Sequence, residues 1–333
     1  MEPRVATRLS VITEPIDLLR KRVTGEILTA SHPDYDAARK VVAMTVNRFP
    51  YAVVKVASAD DVAATVDFAR EVGFPLSVRS GGHSLGHYTV IDDAVVIDFS
   101  NFKQVSVDPV SGIANVQAGA TSADIVAAAG PLGFALTTGD TPSVGIGGLA
   151  TGGGIGFMVR KYGLTVDSLV SAQVVLADGS IVTASNDSHP DLFWAIRGGG
   201  GNFGVVTEFT FQLARVGTVL GGDIMIPATR EVVRAYLDYV VSAPDDLTVI
   251  SQIMQAPPAP YVPEDRVGEV VLHMLVMWTG SLEDGEKALA PLRALGVPVA
   301  DTVHPMEYGD IYKYTEHYTM PHGAAVRMMF ADD

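Results

Sequence analysis

Hydrophobic and polar positions along the chain alternate between two periods. From Ala59 to Val72, Val62, Val66 and Ala69 fall on one helical face behind Ser58, which can cap the helix, and Gly73 and Pro75 end it. Phe74 to Val78 is then a short apolar run of strand type, as are Asp93 to Phe99, Gln104 to Val107, Ile113 to Val116 and Glu208 to Leu213. Ser122 caps a short helix that ends at Gly130-Pro131. Ser171 to Ala184 reads as a hairpin around Asp178-Gly179. Strands and helices that do not alternate strictly predict an α+β fold rather than a doubly wound parallel sheet. From about Val216 the texture changes. Prolines gather at 257, 258, 260 and 263, Val267 to Trp278 reads as a long apolar strand, and Leu282 to Leu295 carries helical patterning. The expected division is residues 1–215 and 216–333, two domains in 333 residues.

Composition narrows the function classes. Hydrophobic residues make up 48% and charged residues 18%, as in ordinary globular proteins. A net charge of −15 argues against sequence-independent binding to nucleic acid, which needs a basic face. The charge is uneven: residues 1–215 carry 16 Lys and Arg against 21 Asp and Glu, residues 216–333 carry 7 against 17. The first part is therefore the better place to hold a phosphate. With no cysteine there is no disulfide, thiolate metal site or cysteinyl cofactor link. No stretch has signal-peptide or membrane-spanning character, which makes the cytoplasm the expected compartment.

Glycine is concentrated: 22 of 33 lie between Gly81 and Gly204. The segment Arg79-Ser80-Gly81-Gly82-His83 follows an apolar strand directly. Its glycines let backbone N–H groups approach an anion closely. The imidazole beside them is suited to be a base, a ligand or a covalent tether. Gly145-Ile146-Gly147-Gly148-Leu149-Ala150 satisfies the dinucleotide fingerprint. It follows Thr141-Pro142-Ser143 and runs into Gly152, Gly153, Gly154 and Gly156, so no helix is expected there, which argues against a nicotinamide site. Gly198 to Gly204 forms a third loop. His317 and His322 lack the helical spacing of zinc ligands, and no nucleophile elbow or Walker lysine is present.

Together, Arg79 to Ser84, Gly152 to Gly156, Lys161 to Asp167 and Asp191 to Thr207 resemble, in order, the motif blocks of the berberine-bridge-enzyme-like FAD-linked oxidases of the vanillyl-alcohol-oxidase superfamily. The resemblance is strong over about residues 25–215 and weak over 216–320. It implies a two-part FAD-binding domain of the p-cresol-methylhydroxylase type, plus a substrate domain with an antiparallel sheet and helices. By this resemblance His83 would bond to the 8α carbon of FAD. Arg79, Ser80, Gly81, Gly82 and Ser84, with the Gly139 to Gly145 loop including Thr141 and Val144, would cradle the pyrophosphate and flavin. Gly154 belongs to a matching block, and Gly204 and Val206 would contact the adenosine part. Relatives with a double linkage carry cysteine where this chain has Thr141, which implies a single link. Val144 occupies the position that governs access of dioxygen, and a small side chain there favours oxidase behaviour.

Family chains run further, and the tyrosine and asparagine motif of their closing segment has no match before Asp333; the apolar run Met328-Met329-Phe330 is read as the mark of a shortened chain. Catalytic residues therefore stay unassigned. Tyr88, Tyr308, Tyr312, Tyr314, His317 and Tyr318 are candidates by chemistry alone. The expected activity is oxidation of an alcohol, sugar or polycyclic natural product, with flavin reoxidised by dioxygen to give hydrogen peroxide. The competing readings are an inactive flavin-binding remnant and a reductase fed by a nicotinamide donor.

Overall fold

The computed structural model describes residues 15–43 and 45–319. The Met328 to Phe330 run and His322 lie outside the described residues, as does the Tyr318 side chain. Among the described residues the α+β expectation holds, organised as three main sheets.

The first sheet has four strands in the order Glu26–Leu28, Ala52–Lys55, Val95–Asp98, Leu76–Arg79. Val95–Asp98 runs parallel to both of its neighbours and is buried throughout, as expected of a central parallel strand. Its register places Arg79 opposite Asp98, and the last ladder bond runs from Phe99 N to Arg79 O at 2.9 Å. Beyond that bond the chain leaves the sheet at Ser80. The second sheet is antiparallel, in the order Val105–Val107, Ile113–Gln117, Val205–Gln212, Leu169–Val175, Ile181–Ser185. The hairpin around Asp178-Gly179 joins its last two strands.

The helix Ala59–Val72 forms as its sequence predicts. Ser58 Oγ accepts from Asp61 N at 3.1 Å, and Gly73 ends the helix at φ +84°, where a Cβ would be strained. Its face of Val62, Val66, Phe68 and Ala69 is buried, and it packs between the first and second sheets. The next helix begins one residue earlier than expected. Thr121 is its cap, and Thr121 and Asp124 satisfy each other's backbone N–H in a capping box that leaves Ser122 inside the helix.

The third sheet, also antiparallel, has the order Leu247–Gln255, Val270–Trp278, Val219–Pro227, Ala300–Asp301, with His304–Met306 pairing further along Val219–Pro227. Strand alternation divides its side chains. Leu220, Ile224, Ile226, Leu272, Met274 and Val276 meet the helices Arg230–Ser242 and Leu282–Arg293 in one core. Asp223, Met225, His273 and Leu275 emerge on the other face, toward the glycine-rich loops.

Candidate flavin and substrate site

Ser80 to Ser84 and Gly139 to Gly145 are brought together at the end of the first sheet. A Cβ at Gly81 would collide with Gly145 N and approach Ser143 O to 2.7 Å; a Cβ at Gly145 would collide with Ser80 Oγ and Gly81 N. Only glycine lets these two backbones touch, so this pair is demanded by loop-to-loop packing. Ser80 Oγ donates to Ala118 O at 2.6 Å, and Ser122 N and Ile146 N bond Val144 O and Ala120 O, fixing the second loop as well. His83 Nε2 lies 2.8 Å from Ser143 Oγ, so the imidazole is held across the seam between the loops.

The expectation that no helix forms after Gly145 is overturned: Ile146–Thr151 is a short helix. Its first amides are satisfied by tertiary contacts, Ile146 N to Ala120 O at 2.8 Å and Gly147 N to Ala118 O at 3.2 Å. These offset the poor helix propensity of glycine. Gly147 also needs to be small, since its Cβ would lie 2.8 Å from Ala118 O.

The remaining predicted positions separate by role. The Arg79 guanidinium turns to the buried Asp98, 3.4 Å away, and to the carbonyl of Ala38. Gly154, at φ +84°, leaves room only for Thr165 Oγ1. Gly204, at φ +151°, lies against Val174 and Val175, and the Val206 side chain is in the core. Thr141 is buried and donates to Asp140 Oδ1 at 3.0 Å; Val144 is half-buried beside Gly139.

Several donors fit an anionic dinucleotide. Among the described residues, the amides of Ser80, Gly81 and Gly82 and of Asp140, Thr141 and Ser143 donate to no protein acceptor. Arg79 Nε and Thr137 Oγ1 are buried and find no partner among the described residues. Gly148, Gly200 and Gly201 face open space. An uncharged backbone cradle of this kind suits a pyrophosphate even in an acidic protein.

The tyrosine candidates divide sharply. Tyr308 and Tyr312 are buried. Tyr312 donates to Gly139 O at 2.9 Å, and burial pushes its phenol up to about 12 and that of Tyr308 well above the ordinary value. Such phenols are poor proton acceptors. Tyr88 is 76% exposed. Tyr314 and His317 line a cavity of about 690 Å³ that runs from Asp140, in the second loop, across the open face of the third sheet.

That cavity holds a group not anticipated from sequence. Asp223, 3% exposed, receives His273 Nε2 at 2.7 Å on Oδ1 and the Tyr261 hydroxyl at 3.0 Å on Oδ2. Burial and the Asp223 charge raise the Tyr261 phenol, which therefore stays protonated as the donor. Gln252 Nε2 lies 3.1 Å from His273 Nδ1. A signal existed: Asp223 and His273 each interrupt an otherwise apolar strand, and the register Met225↔His273 makes them diagonal neighbours.

The FAD binding domain family matches residues 50–185, a span holding both loops. BBE-like 1 from Physcomitrella patens superposes with a TM-score of 0.78 at 25% identity, covering 89% of this chain and 63% of that one. The chain belongs to the FAD-binding superfamily of the vanillyl-alcohol-oxidase and p-cresol-methylhydroxylase type. Within this superfamily it is 31% identical over 297 residues to the (R)-6-hydroxynicotine oxidase of Paenarthrobacter nicotinovorans, which is 87% of this chain and 62% of the relative. A glucooligosaccharide oxidase from Acremonium strictum, described with a 6-S-cysteinyl, 8α-N1-histidyl FAD, superposes with a TM-score of 0.77 at 27% identity, covering 91% of this chain and 63% of that one. The chain thus spans under two thirds of the length of these relatives. Among the described residues no helix is long and apolar enough to cross a membrane.

Proposed function

We propose that this protein is an FAD-linked oxidoreductase acting as an oxidase on a small molecule, with the flavin tethered by a single bond to His83. Residues 1–215 hold the cofactor and residues 216–333 shape the substrate side. The observation that carries the reading is the seam at His83. Among the described residues the amides of Ser80, Gly81, Gly82, Asp140, Thr141 and Ser143 donate to no protein acceptor, which suits a dinucleotide's pyrophosphate, and the His83 imidazole stands beside them, 2.8 Å from Ser143 Oγ. The covalent histidyl flavin of the Acremonium relative supports the same role for His83. Thr141, in place of a cysteine, limits the attachment to one bond.

FAD, when bound, supplies the hydride acceptor, and dioxygen is the final acceptor, giving hydrogen peroxide. The chain's own residues orient and exclude. The amides of the two loops fix the pyrophosphate. Val144 sets how closely small molecules approach the cofactor loop. The face of the third sheet closes the cavity from the opposite side.

The decisive experiment is the absorption spectrum of acid-denatured protein. Flavin absorbance that precipitates with the wild-type chain, and stays in the supernatant for His83→Ala, is the expected result. A colourless protein whose intact mass equals the polypeptide alone after incubation with FAD overturns the reading. Flavin that remains attached to His83→Ala through denaturation overturns the assignment of the tether.

A further inference from the structure

The cavity sets one buried polar centre beside an apolar stretch of wall, and Asp310, Lys313, Thr315 and His317 add polar groups elsewhere in its lining. Met225, Ile250, Met254, Leu275 and Met306 line the apolar stretch, with the Tyr261 and Tyr314 rings beside them. The apolar stretch suits the faces of a fused or aromatic ring system. Methionine adds polarisable, adaptable contact to such rings.

The polar centre has a defined proton arrangement. Asp223 accepts on both oxygens, one bond from Tyr261 and one from His273 Nε2. The carboxylate therefore fixes the imidazole N–H at Nε2 and leaves Nδ1 as the accepting nitrogen, a tautomer set by the bond on the opposite side of the ring. Nδ1 faces the Gln252 amide, a weak neutral donor on the exposed edge of the strand, which a substrate hydroxyl can displace. His273 is nearly buried, so its orientation is held by packing as well as by the bond.

We propose that His273, positioned by Asp223, receives the hydroxyl proton of an aromatic or polycyclic carbinol seated in this cavity. In the transfer step the carbinol O–H bond breaks as an N–H bond forms on Nδ1. The adjacent C–H would leave as hydride to an FAD held by the two loops, and a C=O bond would complete the product. This step rests on the flavin reading above; recognition of the ring and its hydroxyl does not.

The test uses 2-naphthalenemethanol and xylobiose as probes, with affinities measured calorimetrically on the purified chain. The aromatic alcohol is expected to bind, xylobiose to bind at least roughly tenfold more weakly, and His273→Gln to lose roughly tenfold in affinity for the alcohol. The ¹⁵N shifts of His273 should show a protonated Nε2 in the wild type and a mixed tautomer in Asp223→Asn. Failure of either probe pattern, including no binding of the alcohol, or an unchanged affinity in His273→Gln, overturns the proposal. An unchanged tautomer in Asp223→Asn overturns the positioning role. Flavin absorbance recorded on the same samples separates the two readings. Yellow protein with His273-independent binding sinks the proposal alone, whereas colourless protein with His273-dependent binding sinks the flavin alone.

Discussion

The Tyr312 hydroxyl donates to the carbonyl of Gly139, 173 residues away, at 2.9 Å, and lies 2.5 Å from Thr138 Oγ1. A phenol has one proton to give, so Thr138 donates to Tyr312 while Tyr312 donates to Gly139. The relay clamps the start of the Gly139 to Gly145 loop against the segment after the third sheet. Phe157 and Tyr308 pack edge-on against the same ring.

Tyr312→Phe keeps the ring and removes the relay, leaving the Gly139 carbonyl and the Thr138 hydroxyl buried without a partner. The expected cost is about 1–3 kcal/mol in urea denaturation. Because Tyr312 is buried and bonded to Gly139 and Thr138, the flavin content of the folded variant should match that of the wild type. Loss of attachment in a variant that is otherwise folded would show a role beyond clamping.

The same phenol gives the protein an alkaline limit. Burial pushes it up to about 12 from the ordinary 10.0. Between those values the unfolded chain releases this proton while the folded chain keeps it, so the folded state binds more protons and stability falls as pH rises. The contribution is intact below pH 10 and fades toward pH 12. The decline should amount to roughly 2 kcal/mol, and Tyr308 acts in the same direction. Urea midpoints across this range should fall less steeply for Tyr312→Phe than for the wild type. Parallel slopes would mean that Tyr312 ionises freely in the folded protein.

How much of this was legible before folding depended on how local each cause was. Ser58, the apolar face from Val62 to Ala69, and Gly73 lie within one helix, and that helix formed as read. Asp178-Gly179 sits between two alternating strands, and the hairpin followed. The helix Ile146–Thr151 was missed because Ala118 and Ala120, almost thirty residues earlier in the chain, supply the bonds that hold its first turn. Arg79 to Ser84 stood out because glycines and an imidazole after an apolar run carry chemistry in their order alone. Asp223, Tyr261 and His273 come from three separate segments, and only the register of the third sheet and the loop above it unite them. Tyr308 and Tyr312 had the right chemistry for a base, and burial removed it.

Two glycines should respond in opposite ways to alanine. Gly81→Ala drives a methyl group into Gly145 N and Ser143 O, both backbone atoms of a loop pinned by Ala118 and Ala120. The loops must separate, at an expected cost of about 2 kcal/mol or more and with loss of bound flavin. Gly148 lies inside the short helix with open space around its Cβ position. Gly148→Ala should stabilise the flavin-free protein by about 0.5–1 kcal/mol. Thermal melts with and without FAD check both. Equal tolerance at the two sites would mean that the loops do not meet as described.

Ser143 gives the sharpest test of how attachment is organised, because it touches the imidazole and nothing in its side chain can form the bond itself. Its hydroxyl, 2.8 Å from His83 Nε2, holds the ring across the seam. Ser143→Ala leaves the backbone of the cradle unchanged, so non-covalent affinity for FAD should stay close to the wild-type value. The reactive orientation of the ring is then no longer fixed, and losing such orientation typically slows a bond-forming step roughly tenfold or more. The expected outcome is slow appearance of acid-stable flavin after FAD is added to the apoprotein, with ordinary rapid binding beforehand. Attachment at the wild-type rate would show that packing of His83 alone sets the geometry, and weakened binding together with slow attachment would place Ser143 in the cradle itself.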